Sequence, residues 1–212
     1  MPSPFDQSRY QVRTEWGVAG LERLAPADVT IVVDVLRFST TVTDAVARGE
    51  VVPLDAAAHA TSINGACVAA AASDSLVLLA CLRNASAVAD AVLAEQTRRA
   101  ARTSVAIIAA GELTKGEAAE VRFAVEDQLG AGAVIDALAA RGIDHTSPEA
   151  AAACEGFRGL RGAVRHLLAA GGSGQELLER GLRDEVLHAA EIDATDAVPV
   201  LRDGAFRSHA PD

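Results

Sequence analysis

The sequence predicts an α/β fold, with three α/β/α layers around a mostly parallel or mixed sheet. Three observations lead there. Short apolar runs rich in β-branched residues recur along the chain, the clearest being Val29-Thr30-Ile31-Val32-Val33. Each such run is followed by a stretch with helical spacing of apolar residues. The chain then closes on two short apolar runs flanking Asp203-Gly204, a strong hairpin dipeptide. The 212 residues suit one domain, and no Pro/Ser linker, repeat or low-complexity tail divides them.

In chain order, Gln11–Glu15 reads as a first strand and Gly20–Leu24 as a short helix. Thr30–Asp34 is a strand and Ser39–Arg48 a helix. Val51–Leu54 is a short strand, Gly65–Ala72 a helix and Ser75–Cys81 a strand. A long helix follows over Asn84–Arg99, with Asn84 as its N-cap. Ser104–Ala110 is a strand. Glu117–Ala140 holds one or two helices, with a break near Glu126–Gly130. Pro148–Phe157, Leu160–Leu168 and Gln175–Ala190 are further helices, before the closing strands Val198–Leu201 and Ala205–Arg207. One connection fits badly. A parallel crossover takes about a dozen residues, and fewer separate Val51–Leu54 from Asn64-Gly65. Either Val51–Leu54 is a poor edge strand or the segment near Asp55–Ser62 has been shortened, so its flanks should look abnormal.

Composition narrows the function classes. Aromatics are 3% of residues, so the core is aliphatic. The net charge of −10 argues against nucleic acid and anionic membrane as partners. It also means that an anionic substrate needs local arginines, or a metal, against the global field. Cys67, Cys81 and Cys154 form no CxxC pair, which argues against structural zinc or a disulfide framework and for reduced thiols in a cytoplasm. The N-terminus lacks a signal-peptide pattern, and no apolar stretch is long enough to span a bilayer. A soluble cytoplasmic protein is expected. A homodimer is expected only because dimers are common.

The most informative stretch is Asp34-Val-Leu-Arg-Phe-Ser-Thr-Thr41, where a strand ends and a helix begins. In open α/β sheets that edge binds ligands. Arg37 is a bidentate donor suited to phosphate, sulfonate or carboxylate, and the helix start adds hydroxyls and free N–H groups. Asp34 could hold a divalent cation or position water. Equally, Asp34 and Arg37 could pair with each other while Ser39 caps the helix. The ends of later strands add Arg83 and Asn84, then Gly111 and Glu112, then Glu126-Asp127. Acids with arginine fit magnesium-assisted phosphoryl chemistry. The competing account of Glu126-Asp127 is that acids favour helix N-termini, and that of Asn84 is the N-cap.

Other phosphoryl and hydrolytic signatures are missing. Leu36 stands where a haloacid-dehalogenase phosphatase needs a second aspartate. There is no Walker A sequence, no Gly-x-Ser-x-Gly elbow and no HExxH. Gly130-Ala-Gly132 and Gly171-Gly172-Ser173-Gly174 do not follow strands, so they are weak nucleotide signals.

An ordered set of segments resembles the 2-phosphosulfolactate phosphatase family. The set comprises Val32–Thr41, Asn64-Gly65, Leu82–Val88, Ala109–Glu112, Ala124–Ala133, Ser147-Pro-Glu149, Ser173-Gly174 and Val198–Gly204. The resemblance implies that family's α/β/α fold and Mg2+-dependent hydrolysis of a small anionic phosphomonoester. In the pathway that names the family, 2-phosphosulfolactate is split to sulfolactate and phosphate on the way to coenzyme M. The expected site gathers Asp34, Arg37, Asn84, Glu112, Glu126 and Asp127 in one pocket. Asp34, Arg37 and Glu126 are expected to be catalytic, and Asp34, Glu126 and Asp127 to be metal ligands. Thr40, Asn64, Asn84 and Glu112 are expected to bind substrate. Two departures from the family pattern stand out, the short segment before Asn64 and Gln175 where arginine is expected. They give weight to an alternative, a catalytically weakened anion-binding relative.

Overall fold

Five consecutive residues, Val29–Val33, are buried and form strand β2 at the centre of the sheet. A strand covered on both faces reads as a continuous apolar run, and its side chains still divide with period two. Ile31 and Val33 enter one core, and Val32 enters the other. The structure is a computed structural model that describes residues 3–55, 64–72, 74–114 and 120–209.

The main sheet has seven strands, in the order β1-β5-β2-β4-β8-β9-β3. These are β1 (Val12–Trp16), β2, β3 (Val52–Pro53), β4 (Leu76–Ala80), β5 (Val105–Ala109), β8 (Pro199–Arg202) and β9 (Ala205–Ser208). The strands β1, β5, β2 and β4 run parallel, while β8, β9 and β3 add an antiparallel edge. A small hairpin of β6 (Glu112–Leu113) and β7 (Val121–Arg122) stands apart from it. The helices are α1 (Gly17–Arg23), α2 (Phe38–Ala47), α3 (Gly65–Ala71), α4 (Ala85–Arg99), α5 (Val125–Ala139), α6 (Pro148–Leu160), α7 (Val164–Ala170), α8 (Gly172–Glu179) and α9 (Arg183–Ala189). Side chains of α1, α2 and α3 fill one core, and those of α4 through α9 fill the other. This is the three-layer α/β/α arrangement expected from the sequence. Among the described residues, no helix is long and apolar enough to cross a membrane.

The three strands expected at Thr30–Asp34, Ser75–Cys81 and Ser104–Ala110 lie side by side in one sheet, the first displaced by one residue and the other two shorter by one residue at each end. The closing hairpin forms around Asp203 and Gly204, whose φ values of 52° and 73° suit a tight two-residue turn. Val52–Pro53 is indeed a poor edge strand, paired only with β9. The segment suspected of shortening lies, beyond Asp55, outside the described residues.

Two helix expectations are corrected. Glu117–Ala140 is not one interrupted helix, because Val121–Arg122 is a strand and α5 begins at Val125 and runs unbroken to Ala139. Its glycines serve packing. A Cβ on Gly132 would lie 2.3 Å from the Ala153 carbonyl oxygen, and one on Gly130 would lie 2.7 Å from Val35 Cγ2. The small residues let α5 sit close to both α6 and β2. Gln175–Ala190 is two helices rather than one, parted at Gly181, whose φ of 77° no right-handed helix accommodates.

Candidate functional site

The parallel strands end on a common edge, and the chain's polar residues meet there through a closed ring of hydrogen bonds. After β2, Asp34 Oδ1 accepts the Phe38 N–H at 3.2 Å, and its Oδ2 accepts the Gly65 N–H at 3.2 Å. One carboxylate therefore ties the first residues of α2 and α3, where free N–H groups await an acceptor. Asn64, just before α3, donates Nδ2–H to the Gly111 carbonyl at 2.6 Å. The Gly111 N–H donates to Asp127 Oδ2 at 2.9 Å, and Asp127 Oδ1 accepts the Val35 N–H at 2.7 Å. The ring runs from Asp34 through Asn64-Gly65, Gly111 and Asp127 and returns at Val35. It joins the loops after β2 and β5 to the start of α5.

This ring is acidic. Asp34, Glu126 and Asp127 are 7%, 2% and 3% exposed. The Asp127 carboxyl is pushed well above the ordinary carboxylate range, first by burial, then by the negative charges of Asp34 and Glu126. The two N–H donors pull the other way and do not prevail.

Beside the ring opens a cavity of about 270 Å³. Its walls are the β6–β7 hairpin, the start of α5 and the turn between α7 and α8. The Ser173 hydroxyl, in the first turn of α8, lies 2.5 Å from Glu126 Oε1 and 3.0 Å from Glu112 Oε2. Gly171 gives Glu126 its room, since a Cβ there would come within 3.2 Å of Glu126 Oε2. Arg122, on β7, leans over the start of α8, with one guanidinium nitrogen 3.9 Å from where a Gly172 Cβ would stand. Neither α5 nor α8 has a side-chain cap at its N-terminus, so their first N–H groups are available to a ligand at this opening.

A second cavity, of about 450 Å³, lies between α2 and α9. Arg37, Thr40, Thr41 and Asp44 line it from one side, and Glu185 and His188 from the other. Arg37 pairs with Glu185 across it. His188 Nε2 is 2.7 Å from Asp44 Oδ2. The buried Arg83 guanidinium pairs with Glu191 and approaches Asp44 at 3.4 Å. Arg83 is thus an interior residue clamping α9 to α2, not a surface one.

The expected single pocket is therefore divided. Glu112 and Glu126 share the smaller cavity, and Asp34 and Asp127 lie in the ring behind it. Arg37 and Thr40 line the larger cavity, and the Thr40 hydroxyl donates to the Val35 carbonyl at 2.8 Å rather than waiting for an anion. Asn84 belongs to neither cavity. It is 0% exposed; its Oδ1 accepts the Cys81 N–H at 2.9 Å, and its Nδ2 donates to the Ala197 and Leu79 carbonyls. The substrate role expected for Asn84 is corrected to a structural one, and it makes no side-chain cap to α4. Asn64 stays at the site, with a buried Oδ1 that has no hydrogen-bond partner among the described residues. That oxygen can only accept, so it suits a water or a cation, while Nδ2 keeps a second N–H beyond the one given to Gly111.

Among the described residues, no three His, Cys, Asp or Glu side chains gather closely enough to hold a metal. Asp127 uses both oxygens on backbone N–H groups, and Asp34 does the same. Glu112, Glu126 and the Ser173 oxygen remain as an oxygen-only set. Mg2+ is commonly held by one or two carboxylates together with waters and substrate phosphate, so these residues fit it. Ser173 and Arg122 were missed as site residues. Ser173 carried a signal, the Ser-Gly pair after two glycines. Arg122 carried none, because its hairpin is too short to leave a periodic pattern.

The sequence matches the 2-phosphosulpholactate phosphatase family over residues 54–204. That span includes the smaller cavity, the first strand and turn of the C-terminal hairpin, and every ring residue except Asp34 and Val35. With most of its length matched, and with the α/β/α architecture in place, the chain belongs to the 2-phosphosulpholactate phosphatase family.

Proposed function

We propose that the protein hydrolyses a small phosphomonoester in the smaller cavity, with Mg2+ as cofactor. The observation that carries this reading is the placement of Arg122 and two uncapped helix starts beside the Glu112–Ser173–Glu126 cluster, with Glu126 and Ser173 in the first turns of those helices and Glu112 across the hairpin from Arg122. Phosphate oxygens need donors, and this opening supplies a guanidinium and first-turn N–H groups of α5 and α8. Two carboxylates and a hydroxyl from the same hairpin and helix starts would hold the cation. When bound, Mg2+ would offset the phosphate's charge and acidify a bound water.

The chain's own residues do the rest. Arg122 orients the phosphoryl group. Either Glu112 or Glu126 accepts the proton of the attacking water as its oxygen bonds to phosphorus. The phosphorus–ester oxygen bond breaks, and the proton taken by the glutamate passes to the leaving oxygen, so that the alcohol departs neutral and the carboxylate is restored. Asp34 and Asp127 position this machinery, because they fix Gly111 beside Glu112 and the first turn of α5 that carries Glu126.

A screen of small phosphomonoesters with and without Mg2+ tests the proposal. Phosphate release that needs Mg2+ and falls at least about a hundredfold in Glu126→Gln supports it. Metal-independent turnover, or full activity in that variant, would overturn it. A second reading, an anion-binding relative with weakened catalysis, draws on Gln175 and on there being no three-acid cluster among the described residues. Phosphate binding with no turnover of any ester would select it.

A further inference from the structure

The β6–β7 hairpin has two faces with different tasks. Glu112 and Arg122 are paired directly across it, and so are Leu113 and Val121. Opposed residues of an antiparallel pair project from the same face, and neighbours along a strand from opposite faces. Glu112 and Arg122 therefore share the face that lines the smaller cavity, and Val121 lies on the other. That second face is seated on the corner where β1 ends and α1 begins. A Cβ added to Gly17 would lie 2.6 Å from Val121 Cγ2, and one added to Gly111 would lie 2.6 Å from Val121 Cγ1. A two-stranded hairpin has marginal stability of its own, so packing against the main sheet sets the angle at which Arg122 meets the cavity.

Trp16 is central to that seat. It is the last residue of β1, paired with Ala109 at the end of β5, and is partly buried. Its ring packs on Phe123, the residue after Arg122, with centroids 5.3 Å apart and a tilt of 45°. Phe123 reaches the cavity wall, and Trp16 does not. The same indole lies against Gly111, where a Cβ would stand 3.2 Å from Trp16 Cε3 and 2.8 Å from the Arg122 carbonyl oxygen. Gly111 also belongs to the acidic ring, through its N–H to Asp127 and its carbonyl to Asn64. The indole thus touches the point where ring and hairpin meet. It is a large, rigid body, and its removal would leave a gap beside β7.

We infer that Trp16 is a positioning residue for phosphate binding: through Phe123 and Gly111 it fixes Arg122 over the smaller cavity. This rests on the phosphatase reading above, in which Arg122 is the phosphate's donor.

The test is a double-mutant cycle on Trp16 and Arg122. It is read by calorimetric binding of inorganic phosphate with Mg2+ present, and by kcat/KM for hydrolysis of 2-phosphosulfolactate. Arg122→Ala should weaken phosphate binding by about tenfold or more. Trp16→Ala should weaken it by about tenfold as well, and Trp16→Phe should recover most of that loss. Trp16→Ala added to Arg122→Ala should cost less than about twofold further, whereas a merely structural role would multiply the two losses. Thermal denaturation checks that each variant folds, and Trp16→Leu replaces Trp16→Ala if the alanine variant does not. Wild-type affinity in the folded Trp16 variant, or losses that multiply in the double variant, overturn the inference, and hydrolysis by the wild type then leaves the phosphatase reading standing. The expected pattern in phosphate binding, without hydrolysis of this ester or of any in the screen above, keeps the inference and removes the catalytic reading. A wild type that neither binds phosphate nor hydrolyses an ester overturns both.

Discussion

Glu112 and Glu126 meet on a single hydroxyl oxygen, Ser173 Oγ, at 3.0 and 2.5 Å. A serine hydroxyl has one proton to donate, so it cannot satisfy two ionised carboxylates at once. In the proposed function, a divalent cation held by these oxygens would offset the two carboxylates.

Mg2+ should therefore stabilise the folded protein. At a hundred times its dissociation constant, a ligand that binds only the native state adds about 2.7 kcal/mol, which for a chain of this size is several degrees in Tm. Thermal denaturation with and without Mg2+ should show that rise, and Glu126→Gln should reduce it to a degree or less. A Tm indifferent to Mg2+ in the wild type would remove the cation from this cluster.

The raised Asp127 carboxyl gives a pH signature of definite sign. Its folded pKa lies above its unfolded value, through burial first and the charges of Asp34 and Glu126 next. The stability it contributes is full below the unfolded pKa, near 3.9, and is lost as pH rises through the folded pKa. In Asp127→Asn that loss disappears, while one of the two backbone N–H groups it serves loses its acceptor, at a cost of about 1–3 kcal/mol. The variant should be less stable than wild type at pH 5, with the gap narrowing at pH 8. Urea denaturation at the two pH values measures it; a gap that widens with pH would contradict the sign.

Asn84 is expected to be a stability residue with little direct effect on chemistry. Asn84→Ala leaves the Cys81 N–H without its acceptor and the Leu79 and Ala197 carbonyls without their donor. A loss of about 2–4 kcal/mol is expected, with KM for a phosphomonoester moving less than about threefold. A large KM increase at unchanged Tm would return Asn84 to the substrate site.

The contrast between Asn84 and Glu112 shows what the sequence could reveal. The strands were legible because buried parallel strands leave unbroken apolar runs, and the sheet edge followed from them. That placed Asp34, Glu112, Glu126 and Asp127 in one neighbourhood. Sequence pattern could not tell which polar groups face inward. Asn84 and Glu112 both follow a strand, and only tertiary packing of the C-terminal strand against β4 seals Asn84 away. Arg37 likewise points where α9 draws it, because Glu185 comes from a helix nearly 150 residues further along the chain.

Gly65 provides the sharpest steric test of the ring. It is the first residue of α3, a position where alanine would ordinarily favour the helix by up to about 1 kcal/mol. Here, however, a Cβ would lie 2.6 Å from Asp34 Oδ2 and 2.7 Å from Phe38 Cδ1. Neither neighbour yields easily: Asp34 is held by the Phe38 N–H, and Phe38 packs edge-on to the buried Phe206 at 5.9 Å. If the close approach decides, Gly65→Ala should destabilise by about 1–3 kcal/mol despite the better helix former. It should also displace Asp34 and the loop that leads to Val35 and Asp127, lowering Mg2+-dependent turnover by about tenfold or more. Gly49 supplies the comparison. A Cβ there meets nothing within 4 Å, but its φ of 81° makes alanine strained. Gly49→Ala should therefore cost stability with little change in turnover. Equal effects of the two variants on activity, once corrected for the fraction folded, would show that the Asp34–Gly65 contact holds the helices together without shaping the site.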